Sequence, residues 1–491
     1  MSSAAGTNLS PVNLQELNPA VVWKHFDAIR QIPRASGSEN AAREYVLGLA
    51  NRLGLQHSRD KFGNIVIYKP AQKGRESATT VALQGHLDMV CEKNEGTPHD
   101  FSKDPIKVVR DGEWLKADGT TLGADNGVGV AAALAVMESK DIAHGPMEFV
   151  FTMEEETGLT GAVEFGQGLL KSKYFLNLDG EEKGTLCIGC SGGVNTTARR
   201  KVTLKPSSAS SAWRVKVSGL KGGHSGVDIH LGRGNAIRIL GNAVQRVMEK
   251  LPVEVAELKG GSARNVIPRE ATAVVVVDES KAGELKAIIS DFAHETKTDL
   301  GKFDPEVQIT VEKTERPAHV LDAKGAEAVV GLVASLHHGV LAMSPDIPGL
   351  VQTSTNVATV SVNGDEVEIG TSQRSAIEAS KMAAARMVGT ACRAAGFDVE
   401  PGAGYPGWKP EPESEIVRKL KDVYKDTFGH ETRLVAMHAG LECGVIGEKY
   451  PGMQMVSFGP QIESPHSPNE RIEIPSVPEF WKFLRAALER L

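Results

Sequence analysis

The sequence predicts an α/β protein with a central mixed sheet flanked by helices, interrupted by an inserted α+β domain. Three observations lead there. Helical and strand patterns alternate through the first ~190 residues, as in α/β domains. Near Cys190–Gly193 the pattern changes, and long helices then separate strands that alternate like half-exposed ones. From about Gly402 the chain returns to helix and buried-strand patterns. The implied parts are a split first domain, 1–192 and 403–491, and an insert, 193–402, long enough for two similar halves.

Each element has its own signal. "VVWKHFDAIRQI" and "NAAREYVLGLANRLGL" space their apolar residues as one face of a helix. "NIVIYKP" and "TVALQGH" read as strands, and the Ala-rich "GVGVAAALAVMESK" as a helix. "MEFVFTM", bounded by Gly-Pro, and "KYFLNLD" are short apolar runs of strand type. The turn-rich "KPSSASSAW" opens the insert. "WRVKVSGLKG", "ATAVVVVD" and "EVQITVEK" follow as strands of an antiparallel sheet. "SEIVRKLKDVYKDTF", "MQMVSFGP" and "VPEFWKFLRAALERL" rebuild the first domain.

Composition narrows the function classes. With 491 residues, more than one domain is expected. Hydrophobic residues at 41% and charged residues at 24% are ordinary for a soluble globular protein. A formal net charge of −7 argues against nucleic-acid binding, which calls for a strong basic excess. The N-terminal segment lacks a basic region followed by an apolar one, so it is not a secretory signal. No apolar run is long enough to span a bilayer. Five sparse Cys suggest reduced thiols and a cytoplasmic protein. Cys187 and Cys190 form a single CxxC, read as small buried residues rather than a zinc ribbon.

Polar residues collect at the ends of the expected strands or just before helices. They are His86 with Asp88, Asp125 in "LGADNGVG", Glu155 and Glu156 in "TMEEETG", Asp179 in "FLNLDGEE" and His466 in "ESPHSPNE". Ligands of open α/β sheets bind outside the carboxyl ends of strands, so these positions can converge. Two His and three carboxylates suit zinc or a similar divalent ion. With a bridging carboxylate they can hold two metals, which polarise a carbonyl and acidify water. His86 and Asp88 share one strand face, so Asp88 can orient the His86 ring. Taken singly, each is ordinary. Asp125 reads as a cap for a helix starting at Val128, the Glu run as a solvated face, and His466 as a loop residue. Their order is what makes the signal.

That order resembles the binuclear zinc peptidases that include aminoacylases and glutamate carboxypeptidases. "GHLDMV", "TLGADNGVG", "EEETG", "NLDGEE" and "SPHSPNE" carry the likeness. "HDFSKDPI", "GEWLKADGTTLGADNG", "GLKGGHSG", "NVIPREA", "YPGW", "HAGLECG" and "ESPHSP" are similar to aminoacyl-histidine dipeptidases, along nearly the whole chain. The resemblance implies that His86 and Asp179 bind one zinc, Glu156 and His466 the other, and Asp125 bridges. It makes Glu155 the general base and Asp88 the orienting carboxylate, leaving Glu154 as an extra residue. The insert becomes a lid. His224 and Asn265 there would contact the scissile carbonyl or the substrate carboxylate, and Arg374 would bind that carboxylate. Without the resemblance, His224 is a turn residue and Arg374 a surface residue that begins a helix. His438 and Glu442 carry no implied role beyond packing near the site.

The expected activity is a cytosolic dipeptidase with two Zn²⁺ per chain, Co²⁺ or Mn²⁺ being other candidates. Its substrates would be dipeptides with a free amino end, including Xaa-His such as β-alanyl-histidine. The chain would work as a monomer or homodimer, without nucleic acid or membrane. A tripeptidase or an N-acyl amino acid deacylase is the alternative within enzymes. A non-catalytic scaffold on the same fold is the alternative outside them.

Overall fold

The computed structural model describes residues 9–491. The chain divides into two compact units. The first runs to Gly189 and resumes with Trp408–Ala436 and Leu441–Leu491. The second comprises Cys190–Gly407 and Met437–Gly440.

The first unit is built on a mixed sheet. Its middle strands lie in the order Met147–Thr152, Val81–His86, Tyr174–Asn177, Gln454–Ser457, all parallel neighbours. Ile65–Lys69 and Thr185–Cys190 flank them antiparallel. Val81–His86, Met147–Thr152 and Tyr174–Asn177 are buried at every residue, as expected of strands covered on both faces. The helix Ala124–Glu138 covers one face and is buried through Met137. Small residues let it lie close to its neighbours. A Cβ on Gly129 would sit 2.3 Å from the Leu178 carbonyl oxygen.

A smaller sheet supports the rim of this unit. Trp114–Ala117 pairs with Arg471–Glu473, which pairs with Ile462–Glu463. The loop between the last two strands carries His466 and Glu470. The Arg471 guanidinium stacks 4.2 Å from the Trp114 ring centroid and pins the hairpin.

The second unit holds a nine-stranded sheet whose paired neighbours are antiparallel. It contains two modules of the same topology, strand–helix–strand–strand–helix–strand. The first comprises Ser211–Ser218, Ala236–Lys250, Glu254–Gly260, Ala271–Val277, Ala282–Leu300 and Gln308–Thr314. The second comprises Gly192–Lys201, Ala323–Ser335, Val351–Asn363, Glu366–Ser375, Glu378–Ala394 and Asp398–Tyr405. In each, the sheet order is fourth, first, third, second strand, and the two second strands pair through Lys259–Ser361 and Gly260–Val360. The first module is inserted after the opening strand of the second. A core including Val215, Ile237, Leu240, Val275, Leu285, Val330 and Ile369 joins the helices to one sheet face.

Among the described residues, no helix is long and apolar enough to cross a membrane. Cys187 and Cys190 are both buried.

The strand Val81–His86 must approach the start of Ala124–Glu138 closely, and Gly85 permits this. A Cβ there would lie 2.3 Å from Asn126 Oδ1 and 3.3 Å from Val130 Cγ2. The Asn126 amide cannot swing away freely, because its Nδ2 donates to the Leu178 carbonyl at 2.8 Å. Gly85→Ala is expected to destabilise the protein by about 1–3 kcal/mol, the usual cost of overpacking. Urea titration checks this, with a lower midpoint at unchanged slope.

Candidate metal centre

The carboxyl ends of the parallel strands bring His86, Asp88, Asp125, Glu155, Glu156, Asp179 and His466 into one neighbourhood of the first unit. Asp125 lies at its centre. Its Oδ1 is 3.1 Å from His86 Nε2 and its Oδ2 is 3.1 Å from His466 Nε2. Asp179 Oδ1 lies 3.5 Å from His86 Nε2. Glu156 Oε2 lies 2.9 Å from His466 Nε2. Each imidazole thus has the shared carboxylate and one of its own.

Asp88 is fully buried and does two jobs. Its Oδ1 faces His86 Nδ1 at 3.2 Å, leaving Nε2 toward Asp125 and Asp179. Its two oxygens also accept the backbone N–H groups of Glu155 and Glu156 at 3.0 and 3.1 Å. One carboxylate therefore orients the ring and sets the glutamate loop. The three glutamates separate accordingly. Glu154, at φ 50°, donates its N–H to Glu39 and carries its carboxylate beside Gly37. Glu155 lies in the field of His86 and Asp179, and Glu156 meets His466. The run is not a solvated face.

The start of Ala124–Glu138 is not capped by Asp125, whose carboxylate oxygens face His86 and His466 instead. Glu470 does that work. Its buried carboxylate accepts from the N–H groups of Leu122, Gly123, Ala124 and Asp125 at 2.7, 2.9, 2.8 and 3.2 Å. Arg34, 2% exposed, donates to the carbonyls of Leu87, Asp88 and Gly123. It ties the turn after His86 to the turn before Asp125. Sequence reasoning missed both residues. Glu470 stands in the quoted "SPHSPNE", but nothing in its spacing marks a partner in the chain's first third.

Glu442 begins the helix Glu442–Lys449 and is buried. It accepts from Gln84 Nε2 and from Thr152 Oγ1, the latter at 2.8 Å. Asn177 Nδ2 donates to Gln84 Oε1 at 2.6 Å. This network fills the sheet face that Gln84 shares with His86. Burial pushes the Glu442 carboxyl up to about 7.

The charges show what the cluster lacks. Burial alone would lower His86, but Asp179, Asp125 and Asp88 raise it well above its ordinary value. Hydrogen bonds to Asp125 and Glu156 lift His466 to about 11. Burial lifts Asp179 to about 7, with Asp125 adding to it. Burial also raises Glu155 well above the carboxylate range, with Asp179, Glu442 and Glu156 adding to it. Asp88 is held near 2 against its burial by His86, Ser36 and the Glu155 N–H. Cationic imidazoles surrounded by carboxylates show a site short of positive charge. Glu156 Oε1 is buried without a hydrogen-bond partner. Ligand atoms of His86, Asp125 and Glu156 lie within 4.8 Å of one another, a spacing able to hold a metal ion. The donor set fits a divalent cation.

His224, Asn265 and Arg374 lie in the second unit. Gly223–His224 pairs with Val266–Ile267, which keeps His224 near Asn265. The N–H groups of Gly226 and Val227 point at His224 Nδ1 at 3.2 and 3.3 Å, so the proton sits on Nε2. Arg374 is not a surface residue at a helix start. It lies on the strand Glu366–Ser375 and is 6% exposed. Its Nη1 donates to Tyr405 Oη at 2.8 Å, and its Nε to Ser225 Oγ at 3.4 Å. Both partners are neutral. His438, whose Nε2 lies 2.7 Å from Ser354 Oγ, is lowered to about 3 by burial and by Arg374, His224 and His230.

Comparison with known proteins places this geometry. Residues 82–490 match peptidase family M20/M25/M40. The chain belongs to this family. It is 38% identical over 479 residues to the cytosol non-specific dipeptidase of Escherichia coli strain K12, covering 97% of this chain and 99% of that protein. The crystal structure of aminoacylhistidine dipeptidase from Vibrio alginolyticus superposes with a TM-score of 0.88 at 39% identity, covering 97% and 98% of the two chains. An aminopeptidase from Bacillus cereus, at 18% identity and a TM-score of 0.56, shares the fold over 96% of this chain and 99% of that one. The two closer relatives are dipeptidases, hydrolases that act on peptide bonds.

In this M20 chain, Glu470→Ala would leave four buried backbone donors without an acceptor. A loss of about 3 kcal/mol or more is expected, since each unmade buried hydrogen bond costs ~1–3 kcal/mol. Denaturant unfolding measures it, and Glu470→Gln should recover part of the loss.

Proposed function

We propose that the chain is a binuclear zinc dipeptidase hydrolysing dipeptides with a free amino end, Xaa-His substrates such as β-alanyl-histidine included. The observation that carries this reading is the Asp125 carboxylate set between two imidazoles, each backed by a further carboxylate. His86 and Asp179 would hold one ion, Glu156 and His466 the other, and Asp125 both. Divalent ions held there would supply Lewis acidity toward the scissile carbonyl and would acidify water. The cytosol dipeptidase relative, covered over nearly its whole length, supports a cytosolic peptidase of this size.

The chain's own residues supply the rest. Glu155 takes the proton of the attacking water and returns it to the leaving amine. Asp88 holds Glu155 in place through its backbone N–H and keeps the His86 tautomer. His224 presents a protonated Nε2 as a donor to the developing oxyanion, with Asn265 beside it. Arg374, whose partners among the described residues are neutral, binds the substrate carboxylate.

Glu155→Gln is expected to lower kcat by ~10²–10⁴-fold. Two divalent ions per chain should remain, counted by elemental analysis. Chelation should abolish turnover of the wild type. A variant that keeps full activity, or a metal-free enzyme that does, would end this reading.

Arg374→Ala should weaken kcat/KM on free-acid dipeptides by about tenfold or more, the scale of a lost charge-assisted hydrogen bond. Dipeptide amides should be little affected. Equal losses on acids and amides would remove Arg374 from carboxylate binding.

A further inference from the structure

The second unit holds a cavity of about 350 Å³ within itself. That is the size of a small-molecule site. Residues of the helices Ala236–Lys250 and Ala282–Leu300 line it, together with His338. Arg238 and Asp299, of opposite sign and each without an ion pair among the described residues, both line it.

The positive one is Arg238. Its Nη2 donates to the Ala334 carbonyl at 3.1 Å. Its Nε is buried with no hydrogen-bond partner, and no carboxylate pairs with it among the described residues. Burial lowers its proton affinity and nothing offsets this. A half-buried guanidinium without an anion is unusual, because desolvating the charge is costly. Arg246, on the same helix, shows the ordinary solution. It bonds Glu295 through Nη2 at 3.0 Å and stacks on Phe292, 5.8 Å from the centroid.

The negative one is Asp299. Glu295 is committed to Arg246, whereas Asp299, one turn on, forms no ion pair among the described residues. Phe292 gives the cavity an apolar wall. His338 adds no charge. Its Nδ1 accepts from Asn235 Nδ2 at 3.2 Å, and burial with Arg238 nearby lowers it to about 3.

We infer that this cavity binds a free α-amino acid, its carboxylate on Arg238, its ammonium toward Asp299 and its side chain against Phe292. Amino acids are what peptide hydrolysis releases, so on the proposed dipeptidase reading the ligand is a product of the reaction. It is independent of the metal-centre assignment, since no residue is shared.

The test uses the full-length chain, with L-leucine as probe and titration calorimetry as readout, with and without chelator. A binding event that survives chelation is expected. Arg238→Gln and Asp299→Asn should each weaken it by about tenfold or more. Hydrolysis of a dipeptide without added amino acid should have the same kcat/KM in both variants. Asp299 is exposed, so its variant folds even if Arg238→Gln does not. Absence of a chelator-resistant event, or one indifferent to a folded variant, overturns the site. Equal affinity for 4-methylpentanoate, which lacks the ammonium, overturns the amino-acid assignment. A fall in kcat/KM without added amino acid would assign Arg238 or Asp299 to the catalytic centre and overturn the separate site.

Discussion

The Asp125 carboxylate stands between His86 and His466, 3.1 Å from each, and it is the backbone that holds it there. Four successive N–H groups from Leu122 to Asp125 converge on Glu470. Arg34 fastens the same turn to the turn after His86. Gly123, at φ 67°, lets the chain bend this way, and a Cβ there would lie 2.5 Å from Arg34 Nη2. Carboxylates crowded into a buried site repel one another, and only a rigid frame keeps them together. The cation the site calls for would balance a charge that the fold has already concentrated.

Each unit has its own electrostatic character at its functional residues. The first gathers Asp88, Asp125, Glu155, Glu156, Asp179 and Glu442 around two imidazoles. The second sets buried Arg374 beside His224 and His438 and gives it neutral partners. Acidic groups suit metal ions and proton transfer, and a guanidinium without a counter-ion suits a carboxylate.

Much of the site was legible in the chain. His86 with Asp88, Asp125, Glu155 with Glu156, Asp179 and His466 stand next to turn-forming residues after buried-strand patterns. Parallel strands align their carboxyl ends, so such residues gather whatever the details of packing. The frame was not legible. Glu470 serves a turn 345 or more residues away, and Glu442 bonds Gln84 from 358 residues away. No local pattern encodes such pairs. Without the resemblance Arg374 reads as surface, because a polar run stands before a helix, yet it lies on a strand with neighbours on both sides. The doubled module of the second unit was hidden because one copy interrupts the other, which leaves no tandem period to find.

Residue order by itself determined the alternation of strands and helices, the insertion of a second domain and the donor types at the strand ends. These follow from local spacing, which a sequence displays directly. Tertiary structure decided how closely Asp125 stands between the two imidazoles, which glutamate faces which imidazole and which charges stay unpaired among the described residues. Those depend on distances of a few ångströms between residues hundreds of positions apart, and only the packed chain sets them.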